Sequence, residues 1–378
     1  SRLMPVKKKA ITKKVNKKAD KVKTKKKVEV KKKSPGKKKQ SLKKIPKKKV
    51  AKKVAKKAVK KLVKNGLNVR AMDNNIRGNV KRLKSVMSNI EFIEGDVTSL
   101  DDCIKSAKGI DTLIHLAAIN GTENFYKIPD KVLEVGIMGA FNTIKASKLC
   151  GVKNYLVTSS SEVYQEPTKI PTDESERMII PDINNPRFSY SISKIVSEAV
   201  VLNNKSKGLK KIICRPHNFY GQNQNIWDKY RNVLGIWMYQ IINNQQPTIF
   251  GDGEQVRAFS YVDDSLIPFW NASQKDNCIG EIINLGGIKE HTINEACNIL
   301  LKVTNTKLQP LYLEERHEAK HAWSTWEKSV NLLDFKHKIN LEEGLTKMWE
   351  WVKTQPNRKR FIWPQYELEK GIYEFWKK

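Results

Sequence analysis

From Gly66 onward, short apolar runs alternate with segments of helical character, and this alternation constrains the fold more than any other feature of the chain. LNVRAMD (67–73), IEFIEGD (90–96), IDTLIHLAA (110–118), NYLVTSS (154–160) and KKIICRPHNFYG (210–221) read as buried strands, and Pro129–Leu149 and Ser191–Leu202 read as helices between the later ones. Strand and helix in alternation require right-handed crossovers, which predicts a doubly wound α/β fold with a parallel sheet covered on both faces. Beyond Gly221 the alternation loosens into PTIFGDGEQVRAFSYVDD, EIINLGG and several helices. That change predicts a smaller C-terminal lobe closing over the carboxyl ends of the strands, where ligands of open α/β sheets bind.

The 378 residues suffice for one large two-lobed domain, but their net charge of +33 is unevenly placed. Residues 1–65 hold 31 Lys and Arg against Asp20 and Glu29, whereas the other 41 basic and 37 acidic residues nearly cancel. A near-neutral globular body therefore stands behind a polycation. Residues 5–61 repeat KKK, KKV and AKK with hardly an aromatic among them, too little apolar surface to offset chain entropy, so disorder in isolation is expected. Within them AKKVAKKAVKK would turn helical where a polyanion neutralises its charge, and Ser34-Pro35-Gly36-Lys37 with the AKK units resembles the tails of linker histones. Cys103, Cys150, Cys214, Cys278 and Cys297 lie far apart and form no CxxC pair, which fits reduced core thiols in a cytoplasmic protein. Neither a membrane span nor a secretory signal is expected, because no long apolar run occurs and none follows the basic N-terminus. No metal site is expected either.

The chemistry concentrates at Tyr190-Ser-Ile-Ser-Lys194, which opens a helix after the strand that ends in Thr158-Ser159-Ser160-Ser161. A Tyr and a Lys four apart share one helix face. There the ammonium favours the phenolate and brings a pKa of ordinarily ~10 towards neutrality, making Tyr190 a usable acid and base. Ser160 would hold a substrate hydroxyl beside it. The bare spacing also suits an exposed helix face, and His115, in an apolar strand end, reads as a packed core residue.

VRAMDNN (69–75), EGDVTSLDD (94–102), HLAA (115–118), SSSEVY (159–164), RPHNFYG (215–221) and GDGEQVRAFSYVDD (251–264) occur in this order. In order and spacing they resemble the extended short-chain dehydrogenase/reductases, in particular the NAD-dependent epimerase/dehydratase family around UDP-glucose 4-epimerase. The resemblance covers nearly all of residues 58–352. It implies a Rossmann-like NAD-binding domain at 58–215 and a mainly substrate-binding lobe at 216–378, behind a Lys-rich tail at 1–57. It implies NAD held by Asp73 at the adenosine ribose, by Asp96 and Val97 on the adenine side, by Leu116, Ala117 and Ala118 as a wall, and by Tyr190 and Lys194. Tyr190, Lys194 and Ser160 would be catalytic, with Ser160 also touching substrate. Asn218, Arg257 and Arg316 would contact the diphosphate of a nucleotide sugar. An amide donor and a planar guanidinium suit phosphate, although a turn cap and a surface ion pair account for Asn218 and Arg257 as well.

Glu162 follows the serine strand as an acidic residue does in the family's dehydratases and decarboxylases, where it assists proton transfer; a carboxylate that merely orients the loop fits equally. The segment RPHNFYGQNQNIWDKYRNV resembles epimerase-type members. The resemblance thus implies an NAD-dependent sugar-nucleotide epimerase acting through a transient 4-keto intermediate, with a 4,6-dehydratase or decarboxylase as the alternative. It also implies a homodimer.

Two departures stand against full activity. Dinucleotide enzymes place GxxGxxG between the first strand and helix, because only glycine lets the backbone approach the pyrophosphate. Here those positions fall at Lys49, Lys52 and Ala55, no glycine occurs between Gly36 and Gly66, and the first-strand segment reads IPKKKV. A buried central strand of consecutive lysines carries a large desolvation cost. The favoured reading is a lysine tract that comes from a frameshift, a misjoined gene model or a chimeric fragment, the working protein having an ordinary strand and loop; the first Met falls only at Met4. A pseudoenzyme and a fusion whose lysines hold phosphates by charge are the other two. From a different class comes a polyanion-binding protein that neutralises phosphates non-specifically through residues 5–61. The second departure is Gly136, where the family carries Asn in a helix beside the active site.

Overall fold

A computed structural model describes residues 53–76, 80–227, 232–315 and 320–356. The segment IPKKKV, the expected glycine positions Lys49 and Lys52, the tail before them, and Arg316 lie outside the described residues. Ala55, the third of those positions, falls in helix α1 (Lys53–Lys64).

After α1 comes β1 (Val69–Asp73), paired in parallel with β2 (Ile90–Glu94). Helix α2 (Leu100–Ala107) then leads to β3 (Thr112–His115), α3 (Thr122–Lys127) and α4 (Pro129–Cys150) to β4 (Asn154–Thr158), and α5 (Ser189–Leu202) to β5 (Lys210–Pro216). The helix boundaries follow local chemistry. Ser99 caps α2 by accepting from the Asp102 amide at 3.2 Å, and Asp101 and Asp102 complement the positive end of the dipole. Pro129 opens α4, and Gly151, at φ 70°, closes it in the left-handed conformation that glycine adopts without a Cβ clash.

The second half of the chain supplies β6 (Phe219–Tyr220), α6 (Val233–Ile242), β7 (Thr248–Phe250), β8 (Val256–Ala258) and β9 (Ser260–Tyr261). It continues with α7 (Val262–Gln274), β10 (Ile282–Leu285), β11 (Glu290–Thr292), α8 (Ile293–Thr304), β12 (Leu311–Leu313), β13 (His321–Ala322), α9 (Glu327–Leu333) and α10 (Leu341–Lys353). The smaller lobe has its own core around Trp237, Met238, Leu300 and Leu345, from α6, α8 and α10. Not all of this half stays in the lobe: β10 pairs in parallel with β5 at the edge of the main sheet, and α7 and α9 cover one face of it.

The main sheet runs β10-β5-β4-β3, all parallel. Alternate residues of one strand point to opposite faces. Accordingly Tyr155, Val157 and Ile213 join the core beneath α2, α4 and α5, while Leu156, Ile212 and Cys214 join the one beneath α7 and α9. Burial on both faces is what makes these strands near-continuous apolar runs, and each fully buried Leu or Ile contributes about 1.5–3 kcal/mol.

The expected parallel pairing is present, divided between two sheets in the described residues. β1 and β2 form a separate parallel pair, and among the described residues no strand bridges β1 to β3. All five residues of β1, and Thr112, Leu113 and Ile114 of β3, are only half-buried, unlike the interior strands β4 and β5. The expected third strand also ends early, at His115, so that Leu116 and Ala118 turn onto the wall of a cavity.

Candidate active site

Strands β3, β4 and β5 end on a cavity of about 690 Å³ that the smaller lobe closes from the other side. Packing of α5 against β4 sets its central feature. Lys194, 4% exposed, runs along the helix so that Nζ donates to the Thr158 carbonyl at 2.6 Å, where β4 ends. The same Nζ lies 5.7 Å from the centroid of the Tyr190 ring, one helical turn back. Phe125 of α3 stacks on that ring, centroids 5.4 Å apart and 16° from parallel. Tyr190 thus packs against both an aromatic ring and a cation, with 7% of its surface left exposed.

Ser160 follows β4 in extended backbone and caps the short turn Ser161–Val163, its Oγ accepting from the Glu162 amide at 3.2 Å. Ser159 Oγ, next to it, is buried and has no hydrogen-bond partner. Ser160, Tyr190 and Lys194, from two separate stretches of the sequence, thus line the same cavity. Glu162 lines it too and is exposed.

Asn218 adopts φ 42°, and its Nδ2 donates to the Ala258 carbonyl at 3.1 Å. Arg257 Nη1 donates to the Val256 carbonyl at 2.9 Å and to that of Lys320 at 3.3 Å, and both Asn218 and Arg257 line the cavity. The adenosine-side candidates lie apart from it. Asp73 ends β1 and accepts from the Asn75 amide at 2.9 Å; Asp96 accepts from the Thr98 amide and hydroxyl, each at 2.8 Å, and from Asn74 Nδ2 at 2.6 Å. Val97 and Ala117 pack in the core beneath α2 and α4.

Behind the wall runs a buried polar chain that sequence reasoning missed. Glu198, one turn beyond Lys194, takes both Nε of Arg215 at 2.9 Å and its Nη2 at 2.6 Å. Arg215 Nη1 donates to the Tyr164 hydroxyl at 2.8 Å, which donates to Asn284 Oδ1 at 2.8 Å. His217 Nε2 meets the same oxygen at 3.1 Å. Tyr164 and His217 both reach the cavity. Burial pushes the His217 imidazole down to about 4 against its bond to Asn284, with Arg215 adding to the fall. Burial also pushes the Tyr164 phenol up to about 12, against the pull of Arg215. Arg187, three residues before Tyr190, is a further cation on the cavity wall. No periodicity marks these residues, since strand spacing cannot say which strand-end polar groups meet.

The departure at Gly136 has a packing reason. A Cβ built there would lie 2.5 Å from Ser193 Cβ and 2.6 Å from its Oγ, so glycine lets α4 approach α5, and Ser197 Oγ donates to the Gly136 carbonyl at 3.1 Å.

A doubly wound sheet with a Tyr-Lys pair and a serine at its carboxyl ends defines an enzyme of the extended short-chain dehydrogenase/reductase class. The model of the NAD dependent epimerase/dehydratase family matches residues 54–286, and this chain belongs to that family. It is 29% identical over 294 residues to a protein of Methanocaldococcus jannaschii assigned as UDP-glucose 4-epimerase, covering 77% of this chain and 92% of that one. It is 26% identical over 301 residues to UDP-N-acetyl-alpha-D-glucosaminuronate decarboxylase of Bacillus cytotoxicus, covering 78% and 92%. The crystal structure of UDP-glucose 4-epimerase from Thermotoga maritima with UDP-glucose superposes with a TM-score of 0.71 at 26% identity, covering 80% of this chain and 96% of that one.

Proposed function

We propose that this chain is an NAD-dependent sugar-nucleotide epimerase. The observation that carries the reading is that Ser160, Tyr190 and Lys194 line one cavity, with Lys194 Nζ beside the Tyr190 ring. The described residues suit the nicotinamide half of the cofactor: Leu116 and Ala118 form an apolar wall, and the orphaned Ser159 hydroxyl offers a buried polar partner. Asp73 and Asp96 would take the adenosine end. When bound, NAD supplies a reversible hydride acceptor at C4 of the sugar.

The chain's own residues do the rest. Tyr190 takes the 4-hydroxyl proton at its phenolic oxygen, with the charge of Lys194 favouring the phenolate. Ser160 holds the 4-oxygen as the carbonyl develops. Asn218 and Arg257 anchor the diphosphate, so that the 4-keto sugar can turn within the cavity without leaving it. Tyr190 then returns the proton. Glu162, beside Ser160 and facing the same space, favours a second reading, decarboxylase or dehydratase chemistry at the neighbouring carbons.

Released NAD after denaturation, together with 4-epimerisation of UDP-glucose by the purified chain, tests the proposal. Turnover that falls at least ~100-fold in Tyr190→Phe is expected; a chain that releases no NAD, gains none on incubation and turns over no nucleotide sugar refutes it. A sugar product that has lost carbon dioxide or water would establish the second reading.

Two partner assignments belong to the same reading. A homodimer is supported by the apolar residues Met138, Phe141 and Leu149 of α4 and Leu202 of α5, which are 43%, 49%, 60% and 44% exposed among the described residues. Salt-sensitive polyanion binding is supported by the charge of residues 5–61. Among the described residues no helix is long and apolar enough to cross a membrane, and a cytoplasmic location is part of the proposal.

A further inference from the structure

The polar chain behind the cavity determines the protonation pattern of His217. Asn284 is the key. Its Nδ2 donates to the Thr172 carbonyl at 3.2 Å, and the reversed amide would set two carbonyl oxygens against each other, so Oδ1 faces Tyr164 and His217. Arg215, which can only donate, fills the Tyr164 hydroxyl as acceptor and leaves that hydroxyl's proton for Asn284 Oδ1. Oδ1 can only accept, so the His217 nitrogen beside it, Nε2, must carry its proton. In the neutral ring Nδ1 is then bare. No described residue donates to Nδ1, although the ring is 4% exposed and reaches the cavity next to Asn218.

We propose that His217 Nδ1 is a fixed hydrogen-bond acceptor that reads one hydroxyl of the nucleotide-linked sugar, making His217 a specificity-determining residue of this site. The inference rests on the nucleotide-sugar reading above and adds the group that discriminates among sugars. A donor on the wall would accept any oxygen, whether hydroxyl, ether or ketone. A bare imidazole nitrogen accepts only from a hydroxyl or amide N–H, and it rejects a sugar that presents an ether or a hydrogen there. The Glu198-Arg215-Tyr164-Asn284 chain has no freedom to reverse that polarity without stranding a buried charge. His217 thereby differs from Tyr190 and Ser160, which must exchange donor and acceptor roles during turnover.

Two measurements on the full chain test this. With histidine labelled by ¹⁵N, the His217 ring in the free protein is expected to show a protonated Nε2 and an unprotonated Nδ1, with the Nδ1 resonance moving towards the hydrogen-bonded position on addition of UDP-glucose. Calorimetric titration in the presence of NAD, with UDP-glucose and its 2-, 3-, 4- and 6-deoxy analogues, is expected to show one analogue binding ~10- to 100-fold more weakly. His217→Phe should bind that analogue and UDP-glucose within about threefold of each other, while His217→Asn, which keeps an acceptor, restores part of the discrimination. Equal binding of all five ligands by the unaltered chain, discrimination retained in His217→Phe, or a protonated Nδ1 overturns the assignment while leaving the nucleotide-sugar reading intact. Binding of none of them overturns both.

Discussion

Removing the carboxylate of Glu198 strands a cation in the interior. Arg215 is 2% exposed and Glu198 is fully buried, and the pair is joined at both Nε and Nη2, at 2.9 and 2.6 Å. In Glu198→Leu the guanidinium keeps the Tyr164 hydroxyl at 2.8 Å and a long contact to the Glu174 carbonyl at 3.5 Å, both from Nη1, and a weak thioether contact from Nη2 to Met178 Sδ at 3.4 Å. Nε and Nη2 lose their carboxylate, and the charge loses its counter-ion. Breaking a buried pair in this way costs about 3–5 kcal/mol, against a total stability of ~5–15 kcal/mol for a domain. The double variant Glu198→Leu/Arg215→Met removes the charge as well as its partner and should recover most of the loss, since a buried pair gains little over apolar residues of similar volume. Urea unfolding followed by far-ultraviolet circular dichroism measures both. A single variant that loses less than about 1 kcal/mol, or a double variant as unstable as the single one, would refute the argument that this pair is mutually dependent.

Gly136→Ala drives a methyl into Ser193 and should destabilise the chain by about 1–3 kcal/mol in thermal unfolding, with Ser193→Gly in the same chain relieving the clash. His217 titrates near 4 in the folded protein and at 6.5 in the unfolded chain, so the unfolded state takes the proton first as pH falls. Stability is then full above pH 6.5 and declines towards pH 4 by up to about 3 kcal/mol, and His217→Phe should flatten that part of a pH series of urea midpoints. Of the groups facing the ring, Arg215 stays charged and Tyr164 stays neutral across this window, so neither adds to the slope. Phe141→Asp on the exposed face of α4 should shift the chain to monomer in sedimentation velocity, and an unchanged mass would remove that face from the dimer proposal.

The sequence by itself determined what depends on residues close along the chain. Apolar runs alternating with helical segments specified parallel strands with helical crossovers, because burial on both faces accounts for continuous runs such as IIC and YLV. The spacing of Tyr190 and Lys194 specified one helix face, and in the structure Lys194 Nζ reaches the Thr158 carbonyl and lies 5.7 Å from the Tyr190 ring centroid. The two lobes could be anticipated from the loosened pattern beyond Gly221, but not the return of β10, α7 and α9 to the main sheet. Tertiary structure alone decided which distant polar groups meet. Nothing local to Glu198, Arg215, Tyr164, His217 or Asn284 pairs them; they come from α5, the end of β5, the turn after β4 and β10, and the crossover geometry brings them within hydrogen-bond distance. The same holds for Gly136, a departure in sequence that proves to be the place where two helices touch. Local periodicity encodes which face of an element is buried, whereas the identity of its neighbour across the core depends on how the elements pack together.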